Sequence, residues 1–165
     1  MSRLGVGCWD FGQGVGMKRV LCAWLVAGTL DIADAIVFIG WIKGAGSERV
    51  LQFIASGLLG VRAFQGGWTS AMLGLDIHFF IALCTTLFYY LLSGKFPVLL
   101  NRWAVFSPIY GLGVFFFMHY LVVPLSRAPK QGPASAASLA NLILSHVFFI
   151  GLAMAGILAR GTAKD

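Results

Sequence analysis

The amino-acid sequence predicts an all-α, polytopic membrane fold: four transmembrane helices in an up-down bundle, with a short interfacial helix between the first two. Three observations predict it. Hydrophobic residues make up 59% of the 165-residue chain and charged residues 11%, against about a quarter charged in ordinary soluble domains. The mean hydropathy is +0.86. Four long apolar runs recur, each bounded by Lys or Arg, and only helices of about 20 residues satisfy their own backbone hydrogen bonds across about 30 Å of hydrocarbon.

Residues 1–16 are glycine-rich and lack periodicity, and they end at Met17-Lys18-Arg19, where a start-like methionine and two cations precede an apolar stretch. Met17 is therefore the expected translation start. The first span is expected over 20–42; it is too long for a cleaved signal peptide and lacks an Ala-x-Ala-like site at its close. Between Ser47 and Val61, Glu48, Gln52 and Ser56 fall at four-residue spacing with apolar residues around them. That pattern predicts a short helix lying in the headgroup plane or packed against the mouth of the bundle.

The second span is expected over 67–92, between Arg62 and Lys95, and the third over 103–125, between Arg102 and Arg127. A small-residue loop containing Lys130, Gly132 and Pro133 leads to the fourth, over 138–159, which stops at Arg160 ahead of a tail at 161–165. Trp24, Trp41, Trp68 and Trp103 are expected to act as interfacial anchors near span ends. The N-terminus, the second interspan loop and the C-terminus carry seven Lys and Arg, against five in the other two loops. The balance places both termini of the multi-pass chain in the cytoplasm.

The net charge of +6 invites a nucleic-acid reading, yet the twelve Lys and Arg sit singly or in pairs at the edges of apolar runs. No continuous basic face forms, so nucleic acid is not an expected partner. Membrane lipid is, with a homo-oligomer or a larger membrane complex beyond it. Cys8, Cys22 and Cys84 form no Cys-x-x-Cys pair, and the last two lie inside apolar runs. They read as small hydrophobes. No phosphate-loop, zincin or serine-hydrolase motif occurs, and four spans leave little chain for a soluble catalytic domain, so the chain is not expected to be an enzyme.

Asp31, Asp34 and Asp76 fall inside the expected spans, and so do all three histidines, His78, His119 and His146. Each such group costs about 2.5 to 3.5 kcal/mol in hydrocarbon even on the mildest scale, so it is kept only where it finds partners or water. Because the chain reverses at each span and a helix rises 1.5 Å per residue, these six lie about 9 to 18 Å from the side of the loops that follow the first and third spans. All four helices thus contribute to one polar layer. Asp31 and Asp34 share a face at i and i+3, whereas Asp76 and His78 point to different sides.

Three readings of the layer stay open. It is a hydrogen-bonded set that fixes helix register, a proton or cation pathway, or a haem or metal site with His78, His119 and His146 as candidate ligands. No cofactor is identified. A non-catalytic accessory or scaffold subunit of a membrane complex is the rival from another class.

The strings Leu51-Gln52-Phe53-Ile54-Ala55-Ser56-Gly57-Leu58-Leu59-Gly60, Pro124-Leu125-Ser126 and Ser145-His146-Val147-Phe148-Phe149-Ile150-Gly151 resemble those of small four-helix inner-membrane proteins of bacteria, of the YagU-like kind. The resemblance covers about half the chain. It implies a location, the bacterial inner membrane, and no activity, and it assigns no catalytic residue.

Overall fold

The computed structural model describes residues 15–130, 132 and 134–160, and its regular structure is helical throughout. Most of the glycine-rich segment, Cys8, and the tail at 161–165 lie outside the described residues. Four helices are long and apolar enough to cross a membrane: Met17–Ile42, Gly67–Lys95, Trp103–Leu125 and Ala136–Ala159, with 26, 29, 23 and 24 residues. At 1.5 Å per residue they reach about 35 to 44 Å, more than the hydrocarbon thickness. A helix Ser47–Leu59 and a 3-10 turn Gly60–Gln65 join the first two spans, and a single helical turn Val98–Asn101 precedes the third.

Small residues set how the spans pack. Gly28 of the first span lies against Phe79 and Ala82 of the second, where an added Cβ would sit 3.0 to 3.3 Å from their side chains. Ile32 then meets Ala71 and Leu75, so the two run antiparallel. The third and fourth spans cross more tightly. A Cβ at Gly111 would collide with the His146 carbonyl, and one at Gly151 with the Ser107 carbonyl. Close backbone approach of this kind is the usual basis of helix association in lipid, where burial of apolar surface supplies no net drive.

Three spans widen from α- to π-helix, over Ile36–Ile42, Met118–Val122 and His146–Ala153. Such segments are rare and occur frequently at functional sites. The end of the fold that carries the two termini is solidly filled by Val20, Ala23, Ala27, Tyr89, Met154 and Leu158. Two tyrosines stitch this half together. Tyr110 donates to the Thr85 carbonyl at 2.6 Å and Tyr89 to the Leu99 carbonyl at 2.9 Å.

The helix Ser47–Leu59 crosses the other end. Its polar stripe turns inward, with Gln52 4% exposed and Ser56 fully buried, because Gln52 Nε2 finds the Glu48 carboxylate at 2.8 Å and the Gly67 carbonyl at 3.2 Å. Leu58 and Leu59 are exposed instead. At its far end the Arg127 backbone N–H donates to the Gly57 carbonyl at 3.0 Å, which ties this helix to the close of the third span. Trp41 and Trp68 are exposed at span ends, as anchors would be. Trp24 is not an anchor: its indole N–H donates to the Phe79 carbonyl at 2.7 Å between the first two spans.

Candidate functional site: a cavity open to one face

Where the far half is packed, the half beneath the crossing helix is hollow. A cavity of about 1280 Å³ runs from the loops after the first and third spans down to Thr85, Val114 and Ile150. Below Ile150 begins the packed core that contains Met154 and Leu158. The cavity therefore opens at the loop end and closes on an apolar floor.

Each span contributes one ionisable group to its lining: Asp31, His78, His119 and His146, in chain order. The spacing that puts Asp31 on the face toward the fourth span also fixes its partner, since Ser145 Oγ donates to Asp31 Oδ1 at 3.2 Å. One turn along, Asn141 Nδ2 donates to Asp34 Oδ2 at 2.7 Å. Asp31 and Asp34 at i and i+3 thus face Ser145 and Asn141 at i and i−4 on an antiparallel helix. Asp34 lies behind the wall and does not line the cavity. Hydrogen bonds between membrane helices average about 0.6 kcal/mol and reach about 1.7, so this pair of contacts fixes register more than it adds stability.

Two of the imidazoles are oriented by helix carbonyls. His78 Nε2 meets the Gly28 carbonyl at 2.9 Å, and His146 Nδ1 meets the Leu142 carbonyl one turn earlier at the same distance. A carbonyl only accepts, so these nitrogens carry the protons; in the neutral rings Nδ1 of His78 and Nε2 of His146 are left with bare lone pairs. His119 stacks on Phe115 with ring centres 5.4 Å apart, and His146 meets the same ring edge-on at 5.8 Å. One phenyl ring thus separates two imidazoles drawn from different spans.

Lys43, Arg49 and Lys130 line the same cavity at its mouth. Against them stands the carboxylate of Asp31, so among the described residues the lining holds an excess of two positive charges with the imidazoles neutral. Between mouth and depth the walls are apolar, with Ile39, Phe53, Ile81, Met118 and Leu142 among them. A low-dielectric cleft lined by one sign of charge concentrates ions of the opposite sign.

The six residues expected in one polar layer divide into three sets. Asp31, His78, His119 and His146 share the cavity; Asp34 belongs to the contact between the first and fourth spans; Asp76 is exposed on the outer surface of the second span. The placement of Asp76 follows from Gly74, only two residues before it, whose Cα is pressed against the Leu51 carbonyl; that contact turns residue 76 away from the protein. Among the described residues, no three His, Cys, Asp or Glu side chains are grouped to hold a metal ion; His78, His119 and His146 line the cavity without forming such a group. Asn141 and Ser145 carry no charge and escape a search for ionisable groups. Their signal is a shared face on the fourth span at the depth of Asp31 and Asp34.

No family model matches the chain, and no curated protein or solved structure matches it. The chemistry of the cavity has to be read from its own geometry.

Proposed function

We propose that this chain is a multi-pass protein of the bacterial inner membrane, not an enzyme, that takes up and releases protons in a cavity open to one face. The supporting observation is that Asp31, His78, His119 and His146, one from each span, line a single cavity. Imidazole changes charge nearest to neutral pH, and two of these rings are held so that one nitrogen stays bare. A cation pathway fits the site less well, because Lys43, Arg49 and Lys130 stand at the mouth. A continuous channel also fits less well, since Val20, Ala23, Met154 and Leu158 fill the remaining path. The YagU-like resemblance and the distribution of Lys and Arg support the location. With both termini cytoplasmic, the mouth opens toward the periplasm.

Proton uptake by reconstituted protein after a pH step on the cavity side tests this reading. The expected result is a burst that scales with protein and is lost in the His119→Gln/His146→Gln double variant, with no sustained flux across the membrane. A sustained flux, or a burst unchanged in the double variant, would contradict it.

The exposure of Asp76 favours a second reading, an accessory subunit of a membrane complex or a homo-oligomer. Met72 and Phe80, one turn to either side, are exposed on the same face. A carboxylate surrounded by lipid is costly, and a donor from a partner helix would offset that cost. Extraction in mild detergent should then yield a larger assembly that Asp76→Leu dissociates; a monomer in every mild detergent removes this reading.

A further inference from the structure

The geometry points to an amphipathic organic anion, a carboxylate on an apolar body, as the ligand of this cavity, bound together with a proton. This rests on the proton-exchange reading and names what accompanies the proton. Lys43, Arg49 and Lys130 come from three separate segments of chain and converge on one mouth, so an anion is drawn in and a cation repelled. Behind the mouth the lining becomes aliphatic and aromatic, through Ile39, Phe53, Ile81 and Leu142, which suits an apolar body and rejects a fully hydrated ion. The volume of about 1280 Å³ exceeds the roughly 300 to 1,000 Å³ of ordinary small-molecule sites. A chain of several methylenes is accommodated.

The charged and titratable groups that face the interior come from every wall. Asp31 belongs to the first span, Lys43 to the loop that follows it and Arg49 to the crossing helix; His78, His119 and His146 come from the other spans, and Lys130 from the last loop. Asp31 is the single group among them that opposes an anion, and the Ser145 hydroxyl already donates to it. The imidazoles supply the coupling. A bare Nε2 on His146 accepts no hydrogen bond from a carboxylate, but once it takes a proton from water at the mouth it becomes an N–H donor. His78 presents Nδ1 in the same way. Proton and carboxylate therefore bind cooperatively, and linkage makes the effect reciprocal: each raises the affinity for the other by the same factor. No covalent bond changes.

The test uses the full chain in phosphatidylcholine nanodiscs, with octanoate, octylamine and octanol as probes of equal chain length. Octanoate should bind saturably, at least about threefold tighter at pH 6 than at pH 8, with net proton uptake visible in buffers of different ionisation enthalpy. The Lys43→Gln/Arg49→Gln/Lys130→Gln variant, altered only at exposed positions, should weaken binding about tenfold. His146→Gln should flatten the pH dependence, and His119→Gln provides a second variant if the first fails to fold. Octylamine binding as tightly as octanoate, or octanoate binding indifferent to the rim variant and to pH, overturns the assignment. If octanoate fails to bind while the proton burst persists and still requires His119 and His146, the ligand class is wrong and the proton reading stands. If the burst itself does not depend on those histidines, both fall.

Discussion

Asn141 donates a hydrogen bond of 2.7 Å to the carboxylate of Asp34, joining the fourth span to the first at a sequence separation of 107 residues. One turn away Ser145 reaches Asp31 at the longer distance of 3.2 Å and shares its single proton with the Leu142 carbonyl. Length and competition make the second contact the weaker. Asn141→Leu should therefore cost about 1 to 2 kcal/mol, because it removes the donor and leaves the carboxylate unpaired. Ser145→Ala should cost about 0.5 kcal/mol or less. Reversible unfolding in bicelles measures both, and equal losses would show that the two contacts do not differ as their geometry implies.

Three glycines of the last two spans separate close packing from mere helix propensity. A Cβ at Gly111 or Gly151 would run into a facing backbone carbonyl, whereas one at Gly113 meets nothing within 4 Å. A backbone cannot rotate aside as a side chain does. Gly111→Ala and Gly151→Ala are expected to destabilise by about 1 to 3 kcal/mol, and Gly113→Ala to stay within about 0.5 kcal/mol of the parent. Thermal unfolding in detergent distinguishes the two classes. A Gly113 variant as damaged as the others would mean that the third and fourth spans do not cross at Gly111 and Gly151.

The aspartates are equally separable. Asp34 is half-buried and bonded to Asn141, and Asp76 is exposed on the lipid side of the second span. Asp34→Leu strands the Asn141 amide and should destabilise by about 1 to 3 kcal/mol. Asp76→Leu in the isolated chain should be neutral or stabilising, since it removes a costly group from an apolar surface. The same pair of unfolding measurements decides, and a large loss at Asp76 would place that carboxylate inside the protein.

Much of this fold is legible in the sequence, because the four spans are set by length and hydropathy alone. Their ends are less so. The first helix begins at Met17 and the second runs on to Lys95, since backbone hydrogen bonding includes Lys18 and Arg19 before the first apolar stretch and Ser93 after the second. The common face of Asp31 and Asp34 is readable from i, i+3 spacing. The outward turn of Asp76 is not, because the second span is apolar on nearly every side and its rotation is fixed by packing, with Gly74 against the crossing helix and His78 on the Gly28 carbonyl. The inward polar stripe of that helix is hidden for a related reason. Glu48, Gln52 and Ser56 look like a water-facing edge until Gly67 supplies an acceptor. Nor does charge counting distinguish a loop cation from one that borders a cavity, which is how Lys43, Arg49 and Lys130 pass unnoticed.

Thiol accessibility tests the opening of the cavity at the loop end most directly. In a background with Cys8, Cys22 and Cys84 replaced by serine, single cysteines at Met118 and Leu142, on the cavity wall, are compared with cysteines at Ala23 and Leu158, in the packed half. A membrane-impermeant anionic thiol reagent added from the side of the loops that follow the first and third spans should modify Met118→Cys and Leu142→Cys and spare Ala23→Cys and Leu158→Cys. If all four positions stay unmodified from that side, Asp31, His78, His119 and His146 have no open path to water, and the proton-exchange function is contradicted.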